Sequence, residues 1–230
     1  GSVDVLSYRS ETKEARILDL VRGDARFMQG FSLPDVKGNL VRVLDMIRGH
    51  RLDDVVGAML VEHREYFLTQ FPEMLTKFIG ACEAIAHLHA HGEKHGDIRS
   101  DHIWVESGTA AFRWIDFDYT FDTHENPFGL DLFGLGNILL FLVGKGIHTD
   151  SDLPGMGFAP EVLATIMPED YSVIFTSRLT NLRKLYPYIP EPLNRVLLYF
   201  SAGSEVMYYS VAEFLEDLKP CVDLVATLRP

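Results

Sequence analysis

Two short stretches of this 230-residue sequence carry residue types that do chemistry at a useful spacing. The first is His95-Gly96-Asp97-Ile98-Arg99-Ser100-Asp101-His102, and the second is Trp114-Ile115-Asp116-Phe117-Asp118. Between them, Ser107-Gly108-Thr109 is a natural hairpin turn joining two short strands, His102 to Glu106 and Ala110 to Ile115. Such a hairpin brings the two acidic groups together. One carboxylate can then orient a hydroxyl, and the other can hold a metal ion that bridges phosphates. Phosphoryl transfer needs little covalent help beyond an in-line nucleophile and neutralised charge. Asp97 and Asp116 are the candidates for these two parts, though in isolation either also reads as a plain turn-forming acid.

A competing site is the histidine run from His87 to His95, which a metal-dependent hydrolase would use. On a helix His87 and His91 share a face, while His89 points about 160° away, so the three do not converge readily. The spacing favours a helix end with His89 packed and His91 solvated, and His95 bracing the loop that carries Asp97. Cys82 falls on an apolar stripe and reads as core. Trp104 and Trp114 carry no functional signal, and Lys145 lacks the spacing of a phosphate-binding loop.

The elements that must position these groups follow from periodicity. Apolar residues Ala15, Ile17, Leu18 and Val21 predict a helix over Thr12 to Val21, ended by Gly23 and Asp24. Phe27 to Phe31 and Leu40 to Met46 read as strands joined by Leu33 to Asn39, and Gly49 breaks the pattern after Ile47. A long helix is expected over Glu73 to His89, and a helix apolar nearly all round over Leu130 to Val143. Further helices are expected around Pro160 to Met167, Pro192 to Ala202 and Val211 to Leu218. The order predicts an α+β fold dominated by helices.

In this order the sequence resembles the protein-kinase-like superfamily, in particular bacterial eukaryotic-like Ser/Thr kinases. His95 to His102 stands where that family has its catalytic loop, and Ile115 to Asp118 where it has Asp-Phe-Gly. Asp131-Leu132-Phe133-Gly134 looks like the buried helix whose opening Asp braces the catalytic loop. Lys13 to Leu18 resembles the helix whose Glu, here Glu14, pairs with the ATP-binding Lys. Val43 to Gly49 resembles the hinge, which implies Leu44 as gatekeeper and adenine read by the Asp45 carbonyl and Ile47 amide. Tyr209 to Phe214 resembles the last helix of such kinases. The resemblance implies ATP and Mg2+ as cofactors, a reduced N-lobe over 1–48 with its hinge at 44–48, and a complete helical C-lobe over 49–230.

The departures bear on activity. No glycine-rich loop stands ahead of Glu14 in this sequence; on an unusually short connection Val3 to Leu6 would end the strand that carries the family's phosphate-contacting Lys, with Asp4 in its place. His102 takes the position of the metal-binding Asn, as a second metal ligand of a kind Mg2+ does not prefer. Asp118 replaces the last Gly of Asp-Phe-Gly, and Gly96 replaces the Arg of His-Arg-Asp, a form similar to aminoglycoside and lipopolysaccharide kinases. Only Phe117 to Leu130 separates Asp116 from Asp131, which is short for a peptide-docking segment, and Ala159-Pro160-Glu161 reads as a helix start. The expectation is a pseudokinase or very weak phosphotransferase. The alternative is an active kinase of a protein or small-molecule hydroxyl, with its Gly-rich loop and Lys upstream.

Composition narrows the remaining classes. A formal charge of −12, from 21 Lys and Arg against 33 Asp and Glu, argues against a nucleic-acid binder. Two cysteines give no disulfide framework, which predicts a reducing, cytoplasmic setting. The longest apolar run, Ile138 to Val143, is too short to span a membrane. An open N-lobe sheet edge is the expected place for a protein partner.

Overall fold

The computed structural model describes residues 6–123 and 125–228. Residues 3–5, and with them Asp4, lie outside the described residues. The elements in chain order are β1 (Leu6–Arg9), α1 (Lys13–Leu20), β2 (Gly30–Pro34), β3 (Leu40–Leu44), β4 (Gly49–Arg51), α2 (Leu52–Gly57), α3 (His63–Thr69) and α4 (Phe71–Ala90). They continue with β5 (Ile103–Glu106), β6 (Phe112–Trp114), β7 (Tyr119–Asp122), α5 (Gly129–Gly144), α6 (Pro160–Leu163), α7 (Glu191–Leu198), α8 (Val211–Leu218) and α9 (Pro220–Ala226). The α+β class read from the sequence is the class observed. Among the described residues no helix is long and apolar enough to cross a membrane.

The chain forms two compact units, one of residues up to Val55 with Gly80–Leu135, the other of Val56–Ile79 with Gly136–Pro230. The first contains three small antiparallel sheets: β1 with β7, β2 with β3, and β4-β5-β6. Its core is aromatic. Phe27, Trp114, Phe117 and Phe121 are fully buried with Ile17 of α1 and Leu88 of α4. The Trp114 indole donates to the Ala81 carbonyl at 2.9 Å, so its one polar atom is satisfied inside the core.

Gly49 does not break the chain as expected; it opens β4 opposite Glu106. A Cβ there would lie 2.1 Å from the Val105 carbonyl oxygen, so glycine is what permits this strand to approach β5. The strand expected over Phe27 to Phe31 starts at Gly30, because Phe27 leaves the ladder to fill the core beside Phe117, with ring centroids 5.9 Å apart. The β2–β3 pair leaves Phe31, Leu33, Val41 and Val43 on one face, each about half exposed. Strands β1 and β7 and helices α2, α3 and α9 have no counterpart in the sequence reading.

The second unit is helical. In it the Tyr66 hydroxyl of α3 donates to the Leu142 carbonyl of α5 at 2.8 Å, and Phe67 stacks on Phe71. Gly136 of α5 lets Phe200 approach to where a Cβ would be 2.5 Å away. Helix α6 begins at Pro160, in its first turn, as expected, but stops at Leu163 rather than Met167; Pro168 disfavours helix at the residue before it. Helix α7 likewise ends at Leu198, short of Ala202. Helix α8 has the expected bounds, and Ser210 caps it by accepting from the Glu213 amide at 3.2 Å.

Candidate functional site

Asp97 sits in a loop whose backbone is held from three directions, all within the first unit. Asp131, fully buried at the start of α5, accepts from the His95 amide at 2.7 Å, the Gly96 amide at 2.9 Å and the His89 ring at 3.0 Å. Burial works to raise the Asp131 carboxyl, but the His89 ring and the Gly96 amide overcome it and hold it below the ordinary carboxylate range. His95 Nδ1 accepts from the Asp97 amide at 3.3 Å, and His102 Nδ1 donates to the Asp97 carbonyl at 2.8 Å. Two imidazoles therefore grip the peptide groups on either side of Asp97. Lys13, buried on α1, adds a third hold by donating to both the His95 and Tyr119 carbonyls.

The histidines do not gather round a metal. His87 and His91 lie together with ring centroids 4.5 Å apart, and His91 donates to the His87 carbonyl. His89 turns to Asp131 and stacks on Phe128, while His95 is buried edge-on against Trp114 and Phe117.

His95 carries a stability prediction. Burial pulls its pKa to about 3 in the folded protein, against an ordinary value near 6.5. Below pH 6.5 the unfolded chain takes up a proton that the native protein refuses, so stability falls as pH falls through that window toward 3. The loss from this one ring between pH 6.5 and 5 is about 2 kcal/mol. Urea denaturation at the two pH values checks it, and a His95→Gln variant with the same pH slope as wild type would refute it.

Asp97, His102 and Asp116 converge. His102 Nδ1 is 3.6 Å from Asp97 Oδ2, and His102 Nε2 is 3.8 Å from Asp116 Oδ2. With Nδ1 donating to the Asp97 carbonyl, His102 is left with Nε2 facing the Asp116 carboxylate. Asp116 adopts φ +65°, a strained region for a side chain other than glycine. Burial, then the neighbouring Asp118 carboxylate, push the Asp116 carboxyl above its ordinary value. Asp118 Oδ1 is itself buried without a hydrogen-bond partner.

Asp116 lines a cavity of about 320 Å3 with Glu14, Leu44, Asp45, Ile47 and Trp104, near the lower end of the roughly 300–1,000 Å3 common for small-molecule sites. The four residues assigned to cofactor binding by resemblance thus share one cavity with Asp116. At its rim, the Asp45 amide donates to Gln29 at 2.9 Å, whereas the Asp45 carbonyl and the Ile47 amide have no hydrogen-bond partner among the described residues. The Trp104 indole N–H is buried there and also unpartnered. Sequence reading passed over Trp104; what signals its role is its place two residues after His102.

Glu14 does have a cationic partner, and it is Arg42 of β3 rather than a Lys ahead of α1. Burial raises the Glu14 carboxyl while Arg42 opposes the shift. A lone Arg in the apolar strand Leu40–Leu44 was the available signal. Strand β1, which precedes α1, pairs with β7 and not with the β2–β3 sheet, and brings Arg9 to 3.6 Å from Asp118.

The group that the sequence resemblance implies is a magnesium nucleotide, and the carboxylates beside the cavity are donors of the kind its metal would take. Asp116 and Asp118 offer hard oxygen donors, one of them orphaned, and Mg2+ is commonly bound by one or two carboxylates with substrate phosphates completing its sphere. Among the described residues no group of three or more His, Cys, Asp or Glu side chains is placed to hold a metal ion.

No family profile matches the sequence, and no curated protein does. Solved structures do match. Two crystal structures of the Mycobacterium tuberculosis PknI kinase domain, a double mutant and a single mutant, each align with a TM-score of 0.60. Identity is 13% and 14%; the alignments cover 92% and 91% of this chain and 77% and 76% of those chains. At that identity the likeness is one of fold. Taken with the arrangement of Asp97, Asp116 and Asp131, it makes this chain an α+β domain of protein-kinase-like fold.

Proposed function

We propose that the chain is a degenerate kinase-like domain that binds a magnesium nucleotide in the Leu44–Asp116 cavity and transfers its phosphate only slowly. The observation that carries this reading is the convergence of Asp97, His102 and Asp116 beside a cavity whose rim offers a free carbonyl at Asp45 and a free amide at Ile47. In this reading Asp97 orients the acceptor hydroxyl, and its backbone grip by His95 and His102 keeps the carboxylate in place. Asp116 and Asp118 would hold Mg2+, with His102 Nε2 beside them; the ion when bound neutralises phosphate charge.

Slow turnover follows from where the cations are spent. Lys13 is committed to two backbone carbonyls and Arg42 to Glu14. Loss of one electrostatic group at a transition state costs about 2.7–4 kcal/mol, roughly a hundred- to a thousandfold in rate. A second reading, an active kinase whose phosphate-binding Lys comes from another segment, has its support in β3. Among the described residues that strand is paired on one edge only, and it leaves Val41 and Val43 about half exposed, as a sheet awaiting a further strand would.

A thermal-shift titration with ATP, with and without Mg2+, tests the proposal beside an Asp116→Asn variant. A rise in melting temperature that needs the metal and is lost in the variant is expected, since ligand bound to the native state alone must stabilise it. Absence of any shift at millimolar nucleotide would sink the reading. Fast phosphoryl transfer to water or an added hydroxyl acceptor would favour the second reading over the first.

A further inference from the structure

The two carboxylates assigned to the metal, Asp116 and Asp118, stand two residues apart and repel each other. Each has one nitrogenous neighbour. Asp116 Oδ2 lies 3.8 Å from His102 Nε2, and Asp118 Oδ2 lies 3.6 Å from a guanidinium nitrogen of Arg9. Among the described residues Arg9 is the one Lys or Arg within ion-pair distance of either carboxylate. Strand β1 delivers it there. Arg9 stands opposite Tyr119 in the antiparallel β1–β7 ladder, and the next amide, Ser10, donates to the Asp118 carbonyl at 2.7 Å. The guanidinium carbon is 4.8 Å from the Tyr119 ring centroid, a cation–π contact that steadies the side chain.

The pair is lopsided. The Asp118 side chain is 13% exposed and its Oδ1 is buried without a hydrogen-bond partner, whereas the Arg9 side chain is 67% exposed. The charge of Asp118 is therefore answered at one oxygen, by an arginine that lies mostly in solvent. A divalent cation carries twice that charge and takes carboxylate oxygens into its inner sphere. Once there it repels a guanidinium a few ångströms away. An exposed pair of this kind is weak and is screened by salt, so it is a clasp that a metal ion can open. We propose that Arg9 is a tethered counter-ion of the metal-binding carboxylates, which it and a divalent cation hold in turn, so that β1 works as an autoinhibitory strap on the metal site. This inference rests on the reading of Asp116 and Asp118 as metal ligands. It adds a segment ahead of α1 that sets how much divalent cation the site requires.

The test is a titration of the full chain with Mn2+ alone at constant ionic strength, read by paramagnetic broadening of the Asp118 and Tyr119 amide resonances. Arg9→Gln is expected to lower the Mn2+ dissociation constant about fivefold, the top of the range for an exposed pair. Arg9→Lys keeps the charge and is expected to stay within about twofold of wild type. Arg22→Gln removes the same charge from an arginine that pairs with Asp19 instead, and is expected to change nothing. In about 0.5 M salt the gap between wild type and Arg9→Gln is expected to narrow, because the clasp is screened. Melting curves of each variant establish that it is folded. Equal Mn2+ affinity in Arg9→Gln, weaker binding in Arg9→Gln, or equal tightening by Arg22→Gln would each overturn the proposal while leaving the metal site standing. No broadening at Asp118 in either wild type or Arg9→Gln would overturn the metal assignment, and this inference with it.

Discussion

Replacing Asp131 by alanine is expected to cost about 3–5 kcal/mol of stability, the scale found when one partner of a buried charged network is removed. The side chain is 1% exposed and its two oxygens receive three donors: the amides of His95 and Gly96 and the His89 ring. Alanine leaves all three buried and unpaired, and each orphaned donor carries its own desolvation penalty. The carboxylate itself is held below its ordinary pKa, so its contribution is present above about pH 4 and is lost as pH falls through the lowered value. Asp131→Asn keeps the volume but turns one acceptor into a donor facing donors, and is expected to recover little. The urea midpoint measures the loss. Hydrogen exchange at His95, Gly96 and Asp97 shows whether it is local to the loop. A change below about 1 kcal/mol with unaltered exchange would mean that Asp131 is not the brace.

Gly96→Ala is expected to be nearly as damaging, at about 2–4 kcal/mol, from left-handed strain of about 1 kcal/mol together with overpacking of about 1–3 kcal/mol. Gly96 has φ +89°, and a Cβ there would sit 1.9 Å from the Tyr119 carbonyl oxygen and 3.1 Å from Lys13 Nζ. The only relief is to part the Asp97 loop from β7, which breaks the Lys13 bridge between the His95 and Tyr119 carbonyls. Gly92→Ala is the control: φ is +73° and nothing lies within 4 Å of its added Cβ, so only the backbone strain of about 1 kcal/mol applies. Equal losses in the two variants would show that the contact with Tyr119 carries no weight. The same geometry accounts for a glycine at this position. Lys13 and the Tyr119 carbonyl already occupy the space beside it.

Much of this arrangement was legible in the chain. The β5–β6 hairpin around Ser107-Gly108-Thr109 was readable because turn chemistry and alternation are local, and Gly108 indeed adopts φ +88°. Helix α5 announced itself by being apolar all round, and α4 by its stripe. The pairing of Asp131 with the His95 loop was implied by the resemblance of Asp131-Leu132-Phe133-Gly134 to a helix whose opening Asp braces such a loop, and the hydrogen bonds are present. What went unseen were short pieces with little periodicity, such as β1 and β7 at four residues each. A four-residue strand has one full alternation, and its existence depends on the partner found 113 residues away in the Ser7–Thr120 hydrogen bond.

Residue type, spacing and hydrophobic period determined by themselves the α+β class and the hairpin that joins the two acidic motifs, while the choice of Asp97, His102 and Asp116 as the groups to watch rested on the order of motifs and the resemblance it carries. Only the tertiary structure decided which cation answers which anion. Glu14 meets Arg42, 28 positions away on β3, and Lys13 turns instead to carbonyls 82 and 106 positions away. It also decided that Trp104 lines the cavity beside Asp116, its buried indole N–H without a partner among the described residues. The reason is physical: periodicity and turn chemistry act between neighbours in sequence, whereas the partner of a buried charge is whichever group packing brings within a few ångströms, and that depends on the whole fold.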